Sequence, residues 1–99
     1  TVSLLRAALD PDAIYLFGSH AAGCAGRNSD LDLLIVLPGL HPIDRHRVAY
    51  EALRGIPIAK DIRMYLREDF DARAKLPGFE RFIVKNGRLL FSVEGWGWP

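Results

Sequence analysis

"AIYLFGSHAAGCAGRNSDLDLLIVL" occupies residues 13–37 and sets two apolar runs on either side of a loop of small residues. The first run, 13–17, stops at Gly18, and the second, 33–37, stops at Pro38-Gly39; each reads as a short buried strand. The loop between them is too short for a usual crossover helix, so the two strands are expected to be antiparallel. At the mouth of the second strand stand two aspartates, Asp30 and Asp32. Aspartate is a poor strand former and is costly to bury unpaired, so their placement asks for a reason.

Outward from this centre the pattern is regular. "TVSLLRAALD" spaces Val2, Leu5, Ala8 and Leu9 at helical intervals, and Asp10-Pro11 ends it. Pro42 opens a helix that runs to about Leu53, with Val48, Ala49, Ala52 and Leu53 inward and Gly55 just past its end. "PIAKDIRMYL" alternates: Ile58, Ile62, Met64 and Leu66 share one face, and Ala59, Asp61, Arg63 and Tyr65 share the other. "REDFDARAK" is a helix with acids in its first turn, where the helix dipole favours them. "LPG" breaks it. "FERFIVKNG" is a last helix, expected to pack on Phe79, Phe82 and Ile83, and "RLLF" is a closing strand. The Gly-rich tail "SVEGWGWP" is expected to be loose, giving a domain over 1–91 and a tail over 92–99. Helices interleaved with a small mixed sheet give an α/β (α+β) fold with helices packed on the sheet.

The composition excludes several classes. A chain of 99 residues suits one domain, and a formal net charge of +1 gives no strong nucleic-acid signal. One cysteine, Cys24, excludes an internal disulfide and suits a reducing, cytoplasmic setting. No run approaches the ~20 apolar residues of a membrane span, and the first residues lack a signal-peptide layout.

Side chains two apart on a strand share a face, so Asp30 and Asp32 project together. Asp61 lies on the charged face of another strand. If the two strands are neighbours, three carboxylates converge. Each like-charged pair then costs on the order of 3 kcal/mol at ~5 Å and an effective dielectric of about 20. A divalent cation removes that cost, and hard oxygen ligands favour Mg²⁺. Gly18 lets the backbone approach a ligand closely, and Ser19 supplies a hydroxyl and an N–H for phosphate. Carboxylates for a metal beside a backbone cradle for phosphates describe a site for a metal–nucleoside triphosphate.

With these residues the chain resembles the minimal nucleotidyltransferases (MNT) of the DNA polymerase β-like superfamily. Gly18, Ser19, Ala21, Gly23, Ser29, Asp30, Asp32 and Leu33 fall in register with that family's Gly-Ser…Ser-Asp-x-Asp-Leu signature, Asp61 matches its third carboxylate, and "LPGFERFIVKNGRLLF" resembles its usual close. One departure is Ala22, where many members carry Arg. The resemblance implies the polymerase β-like fold, with two Mg²⁺ ions bridging Asp30 and Asp32 and Asp61 holding one of them. It implies attack of an acceptor hydroxyl on the α-phosphorus of ATP, pyrophosphate leaving, with Gly18 and Ser19 on the phosphates. It also implies a partner: stand-alone members are often encoded beside a small HEPN-domain toxin, and act as antitoxins that transfer AMP to a toxin tyrosine.

Other roles stand beside these. Asp30 and Asp32 also fit turn or cap aspartates with Arg27 as a partner, and Asp61 fits an ion pair with Arg63 or Lys60. Ser19 fits a helix cap. Cys24 has no evident base to activate it. His20, His41 and His46 are too scattered for zinc, though His20 adjoins the site. Arg63, Arg81, Lys85 and Arg88 are cations for a triphosphate or plain solvated charges. Trp96 and Trp98 fit packing on the chain's own sheet or docking of a partner, and a dimer or hetero-complex is open. A binding antitoxin that occludes its partner without chemistry, and a small-molecule nucleotidyltransferase, are the alternative functions.

Overall fold

A computed structural model describes residues 2–18, 31–39 and 45–98. The elements in chain order are α1 (Val2–Leu9), β1 (Ala13–Phe17), β2 (Leu31–Leu37), α2 (Arg45–Ala52), β3 (Lys60–Leu66), α3 (Arg67–Ala74), α4 (Phe79–Asn86) and β4 (Arg88–Ser92). The expected α+β architecture is present. The sheet order is β3-β2-β1-β4, with β1 antiparallel to β2 and β4 and β2 parallel to β3. Pro42, expected to open α2, lies outside the described residues, as do Ser19, His20, Ala22, Cys24, Arg27, Asp30 and His41.

Both faces of the sheet are covered, so β2 reads as a continuous apolar run rather than an alternating one. Leu33, Ile35 and Leu37 join Ile14, Leu16 and Ile62 under α1 and α2. Leu34 and Val36 join Ala13 and Tyr15 under α3 and α4. The two edges of the sheet are β3 and β4, and β3 is partly shielded. The Tyr50 hydroxyl, from α2, accepts from the Ile62 N–H at 3.2 Å and donates to the Lys60 carbonyl at 3.4 Å. An edge whose polar groups are occupied is a weaker template for a foreign strand.

Three expectations are corrected. On α1, Leu5 and Leu9 are buried and Val2 packs beside them, but Ala8 is exposed. On α4 the inner stripe is Glu80, Ile83 and Val84, continued by Gly87 just past its end, and Phe82 is 59% exposed. The stripe is turned because the Tyr65 hydroxyl of β3 donates to Glu80 Oε2 at 2.7 Å, which rewards an acid at an inner position. Gly87 completes that stripe: a Cβ there would stand 2.7 Å from the Ile83 carbonyl oxygen.

The third correction is the tail. Trp96 is 4% exposed and belongs to the core under α3 and α4. Its ring lies near Phe70 and Tyr15, at centroid distances of 5.7 and 6.2 Å. Its indole N–H donates to the Tyr15 hydroxyl at 3.0 Å. A buried indole needs such a partner, and Tyr15 supplies it from the middle of the sheet. Arg67 finishes the anchor. Its guanidinium lies 4.4 Å from the Trp96 ring, donates to the Trp96 carbonyl at 2.8 Å, and pairs with Asp12 and Asp71 at 3.2 and 3.1 Å.

Candidate active site

The parallel pairing of β2 and β3 sets Asp32 directly opposite Asp61, and the antiparallel pairing of β1 and β2 sets Phe17 opposite Asp32. Directly paired residues share a face, so Phe17, Asp32 and Asp61 form one row across three strands at the same end of the sheet. Neighbouring strands are ~4.8 Å apart, which brings the two carboxylates close together. The alternation in β2 sends Leu31 and Leu33 to the α1/α2 side and Asp32 to the α3/α4 side. The alternation in β3 does the same for Ile62 and Asp61. The sequence expectation that Asp32 and Asp61 meet on neighbouring strands is therefore fulfilled. Asp30 and Ser19, its companions in that expectation, lie outside the described residues.

Gly18 closes the row. Its φ is +74°, a conformation L side chains rarely adopt. A Cβ on Gly18 would collide with Asp32 Oδ2 and lie 3.2 Å from its Cγ. The bare α-carbon lets the chain turn away from β1 while the Asp32 carboxylate stays against it. The turn thus needs glycine twice over, for conformation and for space.

Asp61 is not used structurally by its neighbours. Arg63, the cation on its own face, lies over the Phe79 ring at 4.8 Å, and Lys60 Nζ donates to the carbonyls of Ile56 and Ile58 at 2.8 and 3.0 Å. Among the described residues no hydrogen bond or ion pair holds the Asp61 side chain. The structural ion pair with Arg63 or Lys60 that the sequence allowed is absent there. Phe79 also meets Phe17 edge to face at 5.4 Å, so an aromatic lip of Phe17 and Phe79 stands beside the carboxylates. Sequence reading placed Phe79 in the core and missed this lip; the signal was its register with Phe17, which appears only once β1 and α4 are packed.

Among the described residues no three His, Cys, Asp or Glu side chains gather as a metal centre. The described part of the row holds two hard-oxygen donors, Asp32 and Asp61, adjacent and on one face. That donor set fits Mg²⁺, and does not fit a thiolate or imidazole metal.

The polymerase β nucleotidyltransferase family matches residues 2–94. This chain belongs to that family. The family chain is accordingly a nucleotidyltransferase, and its helix–strand order is that of the polymerase β-like fold. No curated protein sequence matches it. Among solved structures it is similar to a toxin–antitoxin crystallised with AMP-PNP, at TM-score 0.65 and 23% identity over 94% of this chain and 71% of that one. It is similar to the toxin–antitoxin MntA-HepT, at TM-score 0.56 and 20% identity over 94% and 68% of the two chains. A nucleotidyltransferase-like protein from Sulfolobus solfataricus gives TM-score 0.57 and 23% identity over 95% and 76%. At these identities the likeness is one of fold. Among the described residues no helix of this nucleotidyltransferase is long and apolar enough to cross a membrane.

Proposed function

We propose that this nucleotidyltransferase transfers AMP from Mg-ATP to a tyrosine hydroxyl of a HEPN-type toxin and so acts as the antitoxin. The observation that carries the chemistry is the Asp32–Asp61 register, with Asp61 left without a partner among the described residues. Two carboxylates set side by side on neighbouring strands repel each other, and a cation that joins them removes that cost. Asp30, Asp32 and Asp61 would hold Mg²⁺, which supplies charge neutralisation at the attacking and leaving oxygens when bound.

The chain's own residues do the rest. Gly18 and Ser19 offer backbone and hydroxyl contacts to the triphosphate as it crosses from β1. The Phe17–Phe79 lip gives an apolar surface beside the carboxylates on which an aromatic acceptor can rest. The acceptor oxygen bonds to the α-phosphorus, the bond from that phosphorus to the bridging oxygen breaks, and diphosphate leaves with the bond pair. The phenolic proton is released to solvent or a carboxylate. Positioning and charge neutralisation therefore carry the rate. The toxin–antitoxin neighbours of similar fold support the choice of partner, and the AMP-PNP bound in one of them supports an adenine nucleotide.

The test is incubation with Mg-ATP and a purified HEPN-type toxin, taken from the adjacent gene where one is present, read by intact-mass spectrometry. One AMP per toxin is expected, with Asp61→Asn abolishing the addition while leaving the circular dichroism spectrum unchanged. Full neutralisation of the toxin by Asp61→Asn would instead establish occlusion without chemistry.

A further inference from the structure

A pocket lies away from the carboxylate row. It has a volume of about 350 Å³ and is lined by Ala74, Lys75, Arg81, Val84, Lys85 and Trp98. None of these belongs to the Phe17–Asp32–Asp61 row. The pocket is the crevice between the last turn of α3 and the middle of α4, closed by the tail. Trp98 is held as its wall because its indole N–H donates to Asp71 Oδ1 at 2.8 Å. At this size the pocket reaches the lower range of small-molecule sites.

Its charge is one-sided. Lys75, Arg81 and Lys85 carry three positive charges into the lining, and among the described residues none of them forms an ion pair. The acids of the same helices are engaged or distant. Asp71 is held by Arg67 and by Trp98, and Glu80 accepts from Tyr65. Glu68 and Asp69 lie in the first turn of α3, while the pocket is built at its end. Three cations around a floor of Ala74, Val84 and an indole call for a ligand with two matching parts. One part is a multiply charged anion that Arg81 can grip in a planar fork and the lysines can neutralise. The other is a flat, weakly polar group that rests against Trp98.

We infer that the α3–α4 crevice, with Lys75, Arg81, Lys85 and Trp98, is a binding site for a nucleoside phosphate, separate from the candidate active site. The same chemistry is presented by a free nucleotide and by the phosphorylated end of an RNA, and the experiment separates the two. The site sits on the chain's own α3, α4 and tail and holds whether or not the acceptor is a toxin tyrosine.

The Trp98 indole N–H is a reporter inside the pocket. Its resonance is followed in ¹⁵N-labelled protein with EDTA present, so that metal-dependent binding at the carboxylates is suppressed. The probes are ADP, adenosine, inorganic diphosphate and a 5′-phosphorylated oligoribonucleotide. ADP or the oligonucleotide is expected to move the Trp98 signal saturably. Adenosine and diphosphate, each carrying half of the ligand's chemistry, are expected to bind on the order of tenfold more weakly. The R81Q/K85Q double variant, changed at solvent-reachable positions, is expected to weaken ADP binding on the order of tenfold or more with its backbone spectrum preserved. Asp61→Asn is expected to leave the Trp98 response in place. Tighter binding of ADP identifies the free nucleotide as the source, and tighter binding of the oligonucleotide identifies an RNA end. No saturable movement by either at about 10 mM, a range weaker than ordinary ligand affinities, overturns the inference. So does an R81Q/K85Q response equal to that of the unaltered protein.

Discussion

On the α1/α2 side of the sheet every residue of the buried cluster is aliphatic, from Leu5 to Ile62, while on the α3/α4 side Tyr15, Phe70 and Trp96 take the centre. The core of the first side is held by shape, with the Tyr50 hydroxyl bonding only to the β3 backbone at its edge. The second is tied by directional bonds: Trp96 to Tyr15, Tyr65 to Glu80, Arg67 to Asp12, Asp71 and the tail. The described carboxylates of the candidate site, Asp32 and Asp61, project on the second side as well. Hydrogen-bonded aromatic groups can border charge and solvent without leaving polar atoms stranded, whereas an aliphatic face cannot. One sheet thus separates its duties by face, with closed packing on one side and polar anchoring next to chemistry on the other.

That contrast breaks first at the centre of β2. Ile35 has no solvent exposure and packs on the aliphatic side. Ile35→Ala is expected to cost about 3–4 kcal/mol and Ile35→Val about 1 kcal/mol in urea unfolding, because only volume is lost there. Equal costs for the two would show that shape is not what holds this face. Gly18→Ala tests the other side where it meets the site. The added Cβ collides with the Asp32 carboxylate at a φ of +74°, so a loss of about 2 kcal/mol is expected. Nucleotidyl transfer should fall further than in an Ile35→Val protein, which leaves Asp32 undisturbed. Equal activity in the two would detach Gly18 from the placement of Asp32.

Trp96→Phe comes next in size. It keeps an aromatic ring against Phe70 and removes the N–H that Tyr15 accepts, for an expected loss of about 1–2 kcal/mol. A loss below ~0.5 kcal/mol would mean that stacking alone docks the tail.

What the sequence made legible follows the same division. Period-two alternation set Asp32 apart from Leu31 and Leu33 and put Asp61 on the charged face of its strand, and the short loop required β1 and β2 to be antiparallel, because these are local consequences of strand geometry; that Asp32 and Asp61 face each other depends on the β2–β3 pairing. The inner stripe of α4 was misread because hydrophobicity prefers Phe82 to Glu80, and the bond that reverses the preference comes from Tyr65, on another element. The tail was misread for a related reason. Gly95 and Gly97 flank Trp96 and suggest freedom, whereas the acceptor that fixes its indole lies 81 residues earlier, in β1. Polar bonds between remote positions leave no periodic trace, and they concentrate on the α3/α4 side.

The smallest effect at neutral pH is expected from Tyr65→Phe, about 0.5–1.5 kcal/mol for one hydrogen bond, and its pH dependence separates the two faces most cleanly. Burial, and then the bond and charge of Glu80, push the Tyr65 hydroxyl up to about 12 from its ordinary 10. Below pH ~10 the side chain is neutral in both folded and unfolded chains, and the contribution is fully present. Between pH ~10 and ~12 the unfolded chain loses its proton first, so stability falls as pH rises through that window and levels off above it. Tyr15 is raised as well, chiefly by burial, and adds a fall of the same sign. Urea midpoints measured from about pH 9 to about pH 11 should therefore decline steeply in the unaltered protein and less steeply in Tyr65→Phe, with the remainder due to Tyr15. An unchanged slope would show that Glu80 does not accept from Tyr65, and the turned stripe of α4 would lose its cause. The Ile35→Val protein should keep the full slope, since it leaves Tyr65, Glu80 and Tyr15 in place.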